Sequence, residues 1–227
     1  PVTKISDGMF ENDTNITTIT LSSNITYIGN NAFRNCPTLQ QIIFKSASTY
    51  SSASADAHSG NYAITTLAVA ISKKDPNNNI AFIGESAFYN CVALESIDVS
   101  SATTIGKNAF YGCSKLESVS LNDNLIKLAD STFNGCLKLN DLQLPSALTE
   151  IGANCFVNCQ ALENIAIPAT TTMVGANILN GCTGLKKIVL EDRSGDLSGF
   201  DKDWKSGISD TVELKVGFRI SLDYNGA

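Results

Sequence analysis

The chain has 227 residues, with 16 Lys and Arg against 22 Asp and Glu, for a net charge of −6 at pH 7. That balance excludes a broad basic surface for nucleic acid, while 43% hydrophobic and 17% charged residues are enough for an ordered core. No apolar run approaches the ~18 residues of a membrane span, and a lone histidine, His58, excludes any site built on two imidazoles.

The chain opens at Pro1, with neither an initiator methionine nor a signal peptide, which reads as a processed or trimmed fragment. From Ile5 onward one pattern recurs. Phenylalanines stand at 10, 33, 88, 110, 133 and 156, and Leu179 continues their register. Cysteines stand at 36, 91, 113, 136, 159 and 182. The steps are 22 or 23 residues, with one step of 55 in each series. Two residue types sharing one period define a repeat.

Seven stretches fit one frame: Ile5 to Leu21, Ile28 to Phe44, Ile83 to Val99, Ile105 to Leu121, Leu128 to Leu144, Ile151 to Ile167 and Val174 to Leu190. In the unit Ile105-Gly106-x-x-Ala109-Phe110-x-x-Cys113-x-x-Leu116-x-x-Val119-x-Leu121, the tail alternates and predicts a short strand with one face buried. The first half places apolar residues at i, i+4, i+5 and i+8, which predicts about two turns of helix. A unit this short cannot bury its own apolar face, so the units must stack. The expected fold is therefore α/β: a solenoid of ~23-residue repeats over residues 1–190, with a parallel sheet on one face and short helices on the other. Strand spacing sets the rise at roughly 4.8 Å per coil. The glycine after the leading apolar residue, present in five of the seven units, fits a tight bend.

Residues 45–82 break the pattern. Ile64 to Val69 matches the strand half of a unit, which predicts an eighth, degenerate coil. Lys45 to Gly60 is a low-complexity polar stretch rich in Ser and Ala, and inserted loops on solenoids are common places for function. Beyond Glu191 no repeat is visible. Residues 191–227 read as a C-terminal cap in which Trp204 and Phe200 plug the open end, with the first strand of a following domain as the other reading. Val212 to Leu222 alternates and predicts a half-buried strand.

The unit Ile-Gly-x-x-Ala-Phe-x-x-Cys-x-x-Leu-x-x-Ile-x-Leu-Pro resembles the BspA-like leucine-rich repeat family. The resemblance covers residues 5 to 190, and Phe200 to Trp204 looks like a family end cap. It implies a surface or secreted protein of a host-associated microbe, in a family where some members are adhesins that hold host matrix proteins or other cells. It supplies no catalytic residue.

Six cysteines share one register position and face inward, so they read as a buried thiol ladder, with disulfides or a metal as the alternatives. No Cys-x-x-Cys occurs, and Cys155-x-x-x-Cys159 lacks a histidine partner. His58 lies beside Asp56 and Ser59, too close in sequence for a triad whose members converge from separate segments. Three N-x-T sequons occur, at Asn12, Asn15 and Asn24, and they reflect composition before they suggest glycosylation. Asp192, Asp196, Asp201 and Asp203 lack the spacing of a calcium loop.

The exposed strand positions are the most informative. Glu95, Glu117, Asp98, Asp141 and Glu163 make the middle of the sheet mildly acidic, and Lys186 and Lys187 turn its end basic. These seven are the candidate binding residues. No aromatic row stands on that face, as a tight hot spot would need. The expected function is a non-catalytic interaction or adhesion module, extracellular or at the cell surface. It holds a protein or glycan of a host or neighbouring cell through the strand face or the 45–62 loop. No cofactor, metal, nucleic acid or membrane insertion is expected, and the expected state is a monomer. The alternative is a structural spacer or display stalk without a ligand of its own.

Overall fold

A computed structural model describes residues 2–45, 78–191 and 197–217. Each unit gives one short strand, and each except Leu128 to Leu144 also gives a long one; a further long strand follows in the C-terminal segment. The short strands are β1 (Lys4–Ile5), β3 (Tyr27–Ile28), β5 (Phe82–Ile83), β7 (Thr104–Ile105), β9 (Lys127–Leu128), β10 (Glu150–Ile151) and β12 (Met173–Val174). The long strands are β2 (Thr18–Ser22), β4 (Gln41–Lys45), β6 (Ser96–Val99), β8 (Ser118–Leu121), β11 (Asn164–Ile167), β13 (Lys187–Glu191) and β14 (Glu213–Gly217). All pairings between them are parallel, and like positions of successive units face each other: Ile5 opposite Ile28, Ile28 opposite Ile83, Ile165 opposite Ile188. Among the described residues the result is a stack of about eight turns counting the C-terminal one, each turn pairing only with its neighbours.

The expected helices are absent among the described residues, so the α/β assignment is corrected to an all-β parallel solenoid. The half-unit from Gly84 to Cys91 shows why. Ser86 and Asn90 have φ of 54° and 57°, in the left-handed region. Asn31 and Asn35, Asn108 and Gly112, Ser131 and Gly135, Asn154 and Asn158, and Asn177 and Gly181 repeat the feature two residues before and two after the Phe position. A right-handed helix cannot run through such residues. The backbone donors alternate instead. Ser86, Phe88 and Asn90 donate to Lys107, Ala109 and Tyr111 of the next coil, at 2.9, 2.8 and 2.7 Å. Between them, Tyr89 and Cys91 donate back three residues within their own coil, at 3.1 Å each. Half of the bonds that a helix would keep to itself thus hold neighbouring coils together.

The core is a column of rings. Phe10, Phe33, Phe88, Phe110, Phe133 and Phe156 stack face to face with centroids 5.2, 5.3, 5.3, 5.4 and 6.0 Å apart. Each such pair is worth about 0.5–1.5 kcal/mol beyond the area it buries. The column runs straight across the 55-residue step: Phe33 stacks on Phe88, and β3 pairs with β5. The coils at 28–44 and 83–99 are therefore direct neighbours. The expected degenerate coil falls mostly on residues 46–77, outside the described ones, as do His58, most of the 45–62 loop and Asp192 and Asp196.

The glycines after Ile serve close approach. A Cβ on Gly106 would stand 2.5 Å from the backbone nitrogen of Glu85 in the previous coil. No positive φ is involved there, so the expected bend is not what requires glycine. At the C-terminal end, Phe200 bridges Val174, and the Trp204 carbonyl accepts from the Ile178 amide at 3.1 Å. Both rings are buried and meet edge to face, with centroids 5.4 Å apart. β14 extends the sheet beyond β13, but Leu214 and Val216 on it are exposed, where a half-buried strand was expected.

Candidate functional site

The long strands present the candidate residues because their alternation sends Ile97, Val119, Ile165 and Ile188 inward and leaves the intervening positions outside. Glu95 and Glu117 are exposed on adjacent coils, joined by a backbone bond from the Glu117 amide to the Glu95 carbonyl at 2.8 Å. The Glu117 carbonyl in turn accepts from the Asn140 and Asp141 amides at 3.1 and 3.3 Å. Glu163 and Lys186 form a second group, with Nζ 2.7 Å from Oε1. That pair is exposed and adds little stability, but it neutralises the first of the two expected basic residues. Lys187 stands in register between Asn164 and Glu213, so the C-terminal end of the face is mixed rather than basic. Asp98 is half-buried, and its Oδ1 accepts from the Ser100 amide at 2.9 Å, closing the end of β6.

The face is not continuous. Strands β6 and β8 form one sheet, and β11, β13 and β14 another. Between them Asp141 makes a single bridge to Ser118. Beyond it, Leu142, Gln143 and Leu144 form no backbone hydrogen bond with either neighbouring coil. A cavity of about 280 Å³ opens on one side, lined by Ser118, Ser120, Asp123 and Asp141 among others. On the other side a cavity of about 260 Å³ is lined by Asn164, Ala166, Lys187 and Glu191 among others. Gln143 and Leu144 line both.

All seven cysteines are free and buried. Six thiols donate to the carbonyl of the ring residue one coil back: Cys36 to Phe10, Cys91 to Phe33, Cys113 to Phe88, Cys136 to Phe110, Cys159 to Phe133 and Cys182 to Phe156, at 3.0–3.2 Å. Burial pushes the Cys113 thiol up to about 12 and the Cys182 thiol to about 11, and raises Cys136, Cys155 and Cys159 as well. A thiol held protonated is a poor nucleophile and metal ligand. At the N-terminal end the neighbouring Cys91 thiol lowers the Cys36 pKa, while Cys36 and burial raise that of Cys91. Among the described residues no group of His, Cys, Asp and Glu is placed to hold a metal ion, and no helix is long and apolar enough to cross a membrane. Asn12, Asn15 and Asn24 of the three sequons are exposed on the first coil.

Two half-exposed aromatic rows escaped the sequence reading, because both lie off the long-strand face. Tyr27 and Phe82 stack with centroids 4.6 Å apart on the short-strand side. Arg34 lies 4.8 Å over Tyr89, which stacks on Tyr111 at 4.7 Å, and Glu11 stands 3.9 Å from Arg34. The signal was present: the first pair precedes the repeat Ile and the second follows the repeat Phe.

The BspA type leucine rich repeat region matches six copies, over residues 3–101 and 81–198. Among solved structures, the chain is similar to a leucine rich cell surface protein from Faecalibacterium prausnitzii, at 29% identity and a TM-score of 0.54, over 87% of this chain and 53% of that one. It is also similar to the T. pallidum leucine rich repeat protein, at 26% identity and a TM-score of 0.53, over 64% of this chain and 67% of that one. This chain thus spans about half the length of the F. prausnitzii structure. No curated protein sequence matches it.

Proposed function

The chain belongs to the BspA-type leucine-rich repeat family, and from that premise we propose that it is a non-catalytic module that holds a partner macromolecule through its long-strand face. The observation that carries this reading is the exposed acidic run of Glu95, Glu117 and Asp141, which no basic side chain pairs among the described residues. Charge held open on a sheet face steers an oppositely charged or donor-rich partner and fixes its register. The F. prausnitzii relative is described as a cell surface protein, which supports a place outside the cell for this chain too. The partner is a protein or glycan of a host or neighbouring cell. Asp98, Glu163, Lys186 and Lys187 border the acidic run and set its limits.

The test replaces Glu95→Gln, Glu117→Gln, Asp141→Asn and Glu163→Gln together. Labelled chain is applied to intact host cells and to immobilised matrix. The variant is expected to keep its melting temperature and lose binding. Equal binding by variant and parent would end the strand-face reading. A second reading, a stiff spacer, is favoured by the unbroken column of six rings. It predicts that the parent chain binds neither surface.

A further inference from the structure

From β6 to β14 the long-strand face is paired at each step except the two that flank Leu142–Leu144. Leu142, Gln143 and Leu144 leave their N–H and C=O groups for a ligand or for water, whereas β6 with β8 and β11 with β13 and β14 pair residue by residue. The cavity beside them carries three hydroxyls, Ser118, Ser120 and Ser146, the Gln143 amide, and two carboxylates, Asp123 and Asp141. Its carboxylates accept only, while its hydroxyls and amide both donate and accept, so the fitting ligand carries groups that donate and accept at once. At about 280 Å³ the space suits one ring-sized unit. An extended peptide offers one N–H per residue, at a rise of about 3.3 Å, and needs a longer open edge than three residues. Vicinal hydroxyls donate and accept at once and can meet a carboxylate and a backbone group together. The two carboxylates disfavour an anionic sugar.

We propose that the interruption at Leu142–Leu144 is a saccharide subsite that takes a neutral hexose unit of a glycan. The inference rests on the reading of the long-strand face as the binding face and narrows its ligand class.

The experiment uses the isotopically labelled chain and follows backbone amides during titration with methyl glucoside, methyl mannoside and methyl galactoside. The methyl glycoside of sialic acid and a capped tetra-alanine are the comparison ligands. At least one neutral glycoside is expected to shift the amides of Leu142, Gln143 and Leu144 and those of β8 saturably. Asp123→Ala is expected to weaken that binding about tenfold while leaving the remaining spectrum in place. No saturable shift with any neutral glycoside would overturn the proposal, as would shifts at these amides with the sialoside or the peptide alone. Asp123 lies outside the four residues neutralised in the cell-binding test. A face that binds cells through those four and ignores the glycosides would therefore refute the subsite while sparing the broader reading.

Discussion

The turn edge and the long-strand face are made by the same 23-residue unit, but only the turn edge is unbroken. On the turn edge, rings, thiols and alternating backbone bonds pass from coil to coil from Phe10 to Phe156, and Phe33 meets Phe88 as closely as Phe88 meets Phe110. The long strands instead fall into three separate sheets. The turn edge encloses a volume that only certain side chains fill, so the repeat is strict there. The strand face closes on solvent, and its outward positions range over Thr, Gln, Glu, Asp, Asn and Lys. Regularity marks where the molecule is held together, and irregularity marks where it can hold something else.

The largest test of that contrast is alkaline. The six raised thiols stay protonated in the folded chain, whereas an unfolded thiol ionises near the ordinary value of 9.0. Unfolding above that pH releases protons. The stability these thiols contribute is therefore complete below pH 9 and is lost as pH rises above it, through folded values of about 11 for Cys182 and about 12 for Cys113, with the other four raised as well. Each costs roughly 1 kcal/mol by one pH unit above the unfolded value. Melting curves should fall steeply over that range, and a flat profile would mean the ladder is not buried. Next, Phe110→Ala should cost about 3–5 kcal/mol, since it breaks the column with a cavity. A melting temperature equal to the parent's would refute the column as the source of stability.

Asn108→Ala separates the observed turn from the expected helix. Alanine would stabilise a helix at that position, but at φ of 55° it should cost about 1–2 kcal/mol. A more stable variant would restore the helix. On the other side of the comparison, Gln143→Ala should stay within about 0.5 kcal/mol of the parent in chemical denaturation. A larger loss would show that the interrupted segment is structural after all.

The period, the register and the inward residues were legible because Phe, Cys, Leu and Ile recur at fixed steps, and burial of Phe88, Cys91, Leu94 and Ile97 follows directly. The helical half was misread because apolar spacing of i, i+4, i+5 and i+8 describes equally a run that turns twice and faces inward. The deciding signal was polar. Asn, Ser or Gly stands two residues before each Phe, and Asn or Gly two after, and these residues tolerate the left-handed region. The row of strand-face carboxylates was readable from alternation alone. The interruption beside them was not, because Leu142-Gln143-Leu144-Pro145 looks in sequence like the paired Ile165-Ala166-Ile167-Pro168. Pairing depends on where the neighbouring coil lies, which no local pattern records.

The contact of Phe33 with Phe88 also bears on how the molecule assembles. Most coil-to-coil contacts close a loop of 22 to 26 residues, but this one closes a loop of 55. Chain entropy grows only logarithmically with loop length, so the longer loop costs about 0.8 kcal/mol more than a 23-residue one. That is comparable to a single ring pair in the column. A nearest-neighbour stack can therefore accept a long excursion at one joint and keep its register on both sides.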